Sequence, residues 1–239
     1  MRILAFETSA KAASAALLED GVLVAESFVN NGKTHSATLM PMAERLLADC
    51  GTAAAELDAV AVAAGPGSFT GVRIGVAAAK GLAWAAEKPV CGVSTLEAMA
   101  YQMRHCGGVI CPVMDARRAQ VYNALFRWES GALVRLTEDR AIALEDLKKD
   151  LAKIQNPIFL VGDGSRLCYN TLKAEIPGLV LPPAHLELQR ASGVAMAAAA
   201  AGQFQTPDAL RPNYLRLSQA ERERLSKMNG ENQKLKGDS

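Results

Sequence analysis

Two stretches decide the fold: Arg2-Ile3-Leu4-Ala5-Phe6-Glu7-Thr8-Ser9-Ala10-Lys11, and Gly108-Val109-Ile110-Cys111-Pro112-Val113-Met114-Asp115-Ala116-Arg117-Arg118. Each is an apolar run closed by an acid and followed by a turn. What comes next is also alike. After the first, Ala13–Leu18 reads as a strand, Glu19-Asp20-Gly21 as a hairpin turn and Val22–Val29 as a third strand, because Asp-Gly supports the positive φ of such turns. After the second, Gln120–Arg127 alternates as a strand, Glu129-Ser130-Gly131 turns the chain and Ala132–Leu136 returns. A three-strand meander with an acid at the end of its first strand, met twice, implies a duplicated α/β unit and two related domains facing each other across a cleft.

Each meander is followed by α/β elements. Thr34 starts a helix whose apolar positions Leu39, Met42, Ala43, Leu46 and Leu47 keep helical spacing. Leu57–Ala64 reads as a strand, Thr70–Ala86 as a helix of small residues and Val90–Val93 as a short strand. Ser94 caps a helix to about Arg104, with Glu97 in place to complete a capping box. In the second half, helix Leu144–Ile154, strand Pro157–Val161 and helix Arg166–Ile176 lead through Pro182-Pro183 to the alanine-rich helix Ala191–Gly202. The expected division is an N-terminal domain over residues 1–104 and a C-terminal one over 105–220. The last segment of the latter is free to return to the first domain, and 221–239, polar and mixed in charge, is expected to be a flexible tail.

Composition narrows the function classes. The 239 residues are 50% hydrophobic and 21% charged, with a formal net charge of +1, enough to bury an ordinary core and too balanced for a dominant nucleic-acid-binding field. A local basic patch stays possible within that balance. No apolar run reaches the roughly 18–20 residues of a membrane span, and Glu7 stands too early for a secretion signal. The five cysteines lack CxxC spacing and sit among apolar neighbours, which predicts reduced core residues in a cytoplasmic protein.

The most informative motif is Gly65-Pro66-Gly67-Ser68-Phe69-Thr70-Gly71-Val72-Arg73-Ile74-Gly75, placed between a buried strand and a helix. Its backbone N–H groups and the helix N-terminus suit an anion, and Gly65, Gly67, Ser68, Thr70 and Gly71 are the candidate loop residues, joined by Glu7 and Asp115. It matches neither common phosphate fingerprint, and Thr70 also reads as an N-cap. The competing reading is a tight strand-to-helix turn in which Gly71 and Gly75 allow close packing. Glu7 and Asp115, at the ends of equivalent strands, suit either a metal-bound phosphate or a pair of turn acids. Arg117-Arg118 reads as a solvated turn. The three histidines are remote from one another, no HExxH or zinc spacing occurs, and no G-x-S-x-G elbow is present, so a zinc enzyme and a Ser-His-Asp hydrolase are both disfavoured. His35 reads as a surface or interface residue at a helix start.

Taken together, Ile3–Ser9, the helix running from His35 past Pro41, Gly65–Gly75, Asp115-Ala116-Arg117-Arg118 with Val121-Tyr122, and Pro212-Asn213-Tyr214-Leu215-Arg216 resemble the TsaB family, formerly called YeaZ, over residues 1 to about 217. The resemblance implies an actin/Hsp70/sugar-kinase-like α/β fold (ASKHA) of two RNase H-like domains. It also implies a subunit of the bacterial complex that makes threonylcarbamoyladenosine in tRNA, with TsaD carrying the transfer chemistry, TsaE as ATPase and TsaC supplying threonylcarbamoyl-adenylate. In TsaD a His-x-x-x-His pair binds metal; the corresponding positions here are Thr95 and Met99, unsuited to that role. The second phosphate loop, glycine-rich in such folds, is Ala116-Arg117-Arg118-Ala119.

The expectation is therefore a non-catalytic scaffold that binds no cofactor alone, with ATP and a metal ion on its partners. It reaches tRNA only through the complex and is able to form a homodimer by itself. The rival reading is an ATP-binding phosphotransferase or hydrolase with Glu7 and Asp115 holding Mg²⁺. The resemblance places the TsaD contact on two helices. The stripes expected there are His35, Leu39, Met42 and Leu46 on the first, and Val72, Gly75, Val76, Ala79 and Ala83 on the second.

Overall fold

The computed structural model describes residues 1–104 and 106–216. The tail expected at 221–239, and His105, lie outside the described residues. The first meander consists of β1 (Arg2–Glu7), β2 (Ala13–Glu19) and β3 (Val22–Val29), all antiparallel, with Asp20 and Gly21 both at positive φ in the turn. Helix α1 (His35–Asp49) leads to β4 (Ala59–Gly65), which lies parallel to β1, and α2 (Phe69–Ala85) leads to β5 (Val90–Ser94), parallel to β4. The sheet order is β3-β2-β1-β4-β5.

Helix α3 (Thr95–Gln102) connects to the second unit: β6 (Val109–Asp115), β7 (Gln120–Asn123), β8 (Phe126–Glu129), β9 (Ala132–Arg135), β10 (Arg140–Ala143), α4 (Leu144–Leu151), β11 (Ile158–Val161), α5 (Ser165–Leu172) and β12 (Leu179–Val180). Its sheet runs β10-β7-β6-β11-β12, the order of the first sheet again, with β8 pairing β6 and β9. The strand expected over Gln120–Arg127 is two strands. The register against β6 does not slip, since Val113 faces Asn123 and Ile110 faces Phe126. Pro112, however, has no N–H to donate. Leu125 turns away there, its N–H donating to Thr137 Oγ1 at 2.9 Å and its carbonyl accepting from Leu136 N at 2.7 Å. Strands β10 and β12 were not expected; each is too short to show an alternation of its own. The helices α4 and α5 end earlier than the spacing predicts.

Burial follows from this layering. One face of the first sheet (Leu4, Phe6, Leu17, Val60, Val62) packs under α1 and α2. The other face (Ile3, Ala5, Ala16, Leu18, Ala61, Ala63) packs under α6 (Ala191–Ala201), so the C-terminal helix covers the N-terminal sheet. It is fixed there by Ala191 N–H donating to Ser14 Oγ at 2.8 Å and Ser192 N–H to Glu26 Oε1 at 3.0 Å, and Gly202 ends it at φ 60. Helix α3 is shared: Ala98 faces α6, whereas Leu96, Met99 and Met103 pack on Ile110, Met114 and Phe126 of the second sheet. Ser94 caps α3, its Oγ accepting from Glu97 N at 3.2 Å. The Glu97 carboxylate does not return the bond as a capping box requires; it accepts from Arg135 at 2.8 Å. Among the described residues no helix is long and apolar enough to cross a membrane.

Candidate functional site

Glu7 ends β1, the glycine loop follows β4 and Asp115 ends β6, and Glu7 and Asp115 each lie within electrostatic reach of Asp163. The loop has its own occupant. Ser68, not Thr70, caps α2, its Oγ accepting from Gly71 N at 3.3 Å, and Thr70 is exposed. Ser68 N–H donates to Ser9 O at 2.7 Å, and Thr8 Oγ1 donates to Gly71 O at 2.8 Å. Of the loop's backbone donors, Ser68 N–H is thus taken by Ser9 O and Gly71 N–H by the Ser68 cap. Gly65 is at φ +119 before a cis peptide to Pro66, whereas Gly67 and Gly71 are not at positive φ. Their need is space. A Cβ on Gly67 would lie 2.5 Å from Ser9 O, and one on Gly71 or Gly75 would lie closer to Thr8 than the 3.0 Å that real Cβ atoms keep. Close packing, the alternative reading of this motif, describes it.

The C-terminal motif closes the loop from the other side. Asn213 N–H donates to Ala64 O at 2.7 Å, and a side chain at Gly65 would run into the Asn213 carbonyl. Tyr214 stacks on Phe69 with centroids 4.7 Å apart, Arg73 lies over Phe69 at 3.9 Å and its Nε donates to Tyr214 Oη at 2.8 Å. Thr8, Ser9, Asn213 and Tyr214 were not among the candidate site residues. The signal was present in that Thr8-Ser9 and Pro212–Arg216 belong to the stretches that carry the family resemblance.

Glu7 is buried, Oε1 accepting from Ser9 N–H at 2.5 Å and Oε2 without a partner among the described residues. Burial pushes its carboxyl up to about 7; the Ser9 hydrogen bond opposes the shift and nearby Asp163 adds to it. Asp163 is raised as well, first by burial and then by Asp115, while its bond from Gln189 at 2.9 Å and the charge of Lys11 pull it down. Asp115 is exposed and its Oδ1 accepts from Arg117 N–H at 2.7 Å, which makes it a turn acid. In the second phosphate-loop position, Arg117, Arg118 and Ala119 all take the left-handed conformation (φ 62, 55 and 55) without being glycine.

Thr95 and Met99 are fully buried, Met99 in the core with Ile110 and Met114. Among the described residues no group of three or more His, Cys, Asp or Glu side chains is placed to hold a metal. The rival reading as a phosphotransferase finds no support.

The expected partner stripes are also placed differently. Leu39, Met42, Leu46, Val72, Val76, Ala79 and Ala83 are buried in this chain's own core against the first sheet, and Gly75 is closed off by Thr8. A stripe at helical spacing covers the nearer surface first, and here the sheet is nearer. His35 is half-buried, its Nε2 bonded to Ala10 O at 2.8 Å, so it ties α1 to the β1–β2 turn. What α1 and α2 present outward is a different set: Met40 (39% exposed), Pro41 and Leu82 line an apolar groove of about 560 Å³, and Trp84 (64% exposed) stands on α2 outside that lining.

Two sheets of the same strand order define an actin/Hsp70/sugar-kinase-like protein. The component A of (R)-2-hydroxyglutaryl-CoA dehydratase from Acidaminococcus fermentans shares the fold at TM-score 0.50 and 10% identity, over 85% of this chain and all of that one (100%). The sequence model of the TsaD family, tRNA N6-adenosine threonylcarbamoyltransferase, matches residues 29–223. The tRNA threonylcarbamoyladenosine biosynthesis protein TsaB of Bacillus subtilis (strain 168) is 41% identical over 167 residues, 70% of this chain and 73% of that protein. YeaZ from Pseudomonas aeruginosa superposes at TM-score 0.74 with 27% identity, over 90% of this chain and 99% of its own. The chain belongs to the TsaB family.

Proposed function

We propose that this chain is a non-catalytic subunit that binds TsaD and supports it in forming threonylcarbamoyladenosine on tRNA. The reading is supported by the residues at the positions where nucleotide and metal would bind: Thr8-Ser9 is hydrogen-bonded to the loop after β4, Met99 and Thr95 are buried, and the second phosphate loop is Ala116–Ala119. Membership of the TsaB family supports the threonylcarbamoyladenosine role. The chain itself binds no cofactor, ATP and metal belong to TsaD and TsaE, and the complex works in the cytoplasm. The docking surface is the outward face of α1 and α2, which carries the Met40–Leu82 groove and the exposed Trp84; without TsaD, a second copy meets the same face by isologous pairing. Capture of TsaD by the purified chain, together with no ATP turnover by the chain alone, is the expected result. Turnover by the isolated chain that is lost in Glu7→Ala overturns the proposal.

A further inference from the structure

Most arginines among the described residues are engaged. Of the described arginines, Arg2, Arg45, Arg127, Arg135, Arg140, Arg166 and Arg190 pair with carboxylates. Arg211 and Arg216 donate to backbone carbonyls, while Arg73 and Arg104 lie over aromatic rings. Arg117 and Arg118 are the exception: among the described residues neither guanidinium has a hydrogen bond, an ion pair or a ring contact, and both are exposed.

The turn that carries them is rigid. Ala116 N–H donates to Gln120 O at 3.0 Å, Gln120 N–H to Arg117 O at 3.2 Å and Leu144 N–H to Ala119 O at 3.1 Å. Asp115 Oδ1 accepts from Arg117 N–H at 2.7 Å, and Arg216 Nη1 clamps Ala116 O at 2.6 Å. Three successive non-glycine residues in the left-handed region run against the local preference of L-residues, so these bonds hold the two side chains outward against it. The Asp115 charge, the nearest counter-ion in sequence, is spent on the turn's own backbone. A rigid turn with two adjacent, unengaged guanidinia is prepared for a partner rich in oxyanions, and the guanidinium fork matches phosphate in both geometry and charge.

We infer that Arg117 and Arg118 contact the phosphate backbone of RNA, so that this subunit holds part of the tRNA directly. The inference rests on the reading that the chain works in a tRNA-modifying assembly, and it adds a contact that reading had left to the partners. Such a contact strengthens binding without reading sequence, and each phosphate neutralised steepens the salt dependence.

The test uses the assembled complex of the full chain with TsaD, an unmodified tRNA transcript, and binding measured over a series of salt concentrations. Arg117→Gln with Arg118→Gln should leave TsaD capture intact, weaken tRNA binding roughly fivefold or more near 0.1 M salt and make the slope of log K against log salt shallower by about 2. The double lysine variant should keep the slope. Unchanged affinity and slope overturn the inference, as does weaker binding with an unchanged slope. Loss of TsaD capture in the glutamine variant would assign the arginines to a protein surface, and displacement of tRNA by Mg-ATP would assign them to a nucleotide; either overturns it. Failure of the unaltered chain to assemble with TsaD would overturn the proposed function along with the contact, which separates the two.

Discussion

Two glycines of α2 should respond to alanine in opposite directions. Gly71 lies in the first turn against Thr8 O, a backbone atom that a Cβ would approach to less than 3.0 Å, with Thr8 C at 3.3 Å behind it. To admit the methyl group, the helix and the β1–β2 turn must separate by roughly an ångström. That breaks the Thr8 Oγ1–Gly71 O and Ser68 N–Ser9 O bonds, of 2.8 and 2.7 Å, at about 0.5–1.5 kcal/mol each. Overpacking strain adds about 1–3 kcal/mol, and the helix-propensity gain of alanine offsets about 1 kcal/mol. The sum for Gly71→Ala is a loss of about 1–5 kcal/mol, a large fraction of the stability of an ordinary domain. Gly81, in the same helix, has nothing within 4 Å of its Cβ position, so Gly81→Ala should gain about 0.5–1 kcal/mol. Urea unfolding followed by circular dichroism measures both. Equal midpoints for the two variants would refute the claim that this glycine serves close packing.

The placement of the α1 and α2 side chains makes a second pair of contrasting variants. Val76→Asp puts a carboxylate into the core under the first sheet and should unfold the domain, whereas Trp84→Glu on the outward face should leave the circular dichroism spectrum unchanged and abolish capture of TsaD. Glu7 sets a pH dependence. Its folded pKa of about 7 lies above the ordinary 4.5, so the native state holds the extra proton between those values and stability falls as pH rises from about 4.5 to 7. The full cost, about 3 kcal/mol, is present above pH 7. Glu7→Gln should flatten most of this trend in urea titrations between pH 5 and 8, leaving the smaller slope that the raised Asp163 contributes in the same direction. A Glu7→Gln variant with the unaltered pH profile would contradict this assignment.

Much of the architecture is legible because duplication repeats its own signals. The acid after an apolar run, the Gly turns and the helical spacing of Leu39, Met42 and Leu46 each have a local cause, and the two sheet orders agree accordingly. Strand β10 and the break at Pro112 are not legible in this way, since they depend on which residue lies across the ladder: the register sets Ala124 opposite Pro112, which has no N–H to donate. The site was harder still. Glycine spacing in Gly65–Gly75 reports that something approaches the backbone closely, but not whether it is a phosphate or the chain's own Thr8. The apolar stripes of α1 and α2 likewise report a covered face without saying which neighbour covers it. Trp84, by contrast, stands alone in sequence, and only the packing shows that it faces outward.

The proposal that stands or falls first is that the isolated chain binds no nucleotide. Isothermal titration of Mg-ATP into the purified protein decides it. Dilution heat alone is expected, with no saturable binding and no dependence on Glu7. A stoichiometric isotherm that disappears in Glu7→Gln would overturn the proposal.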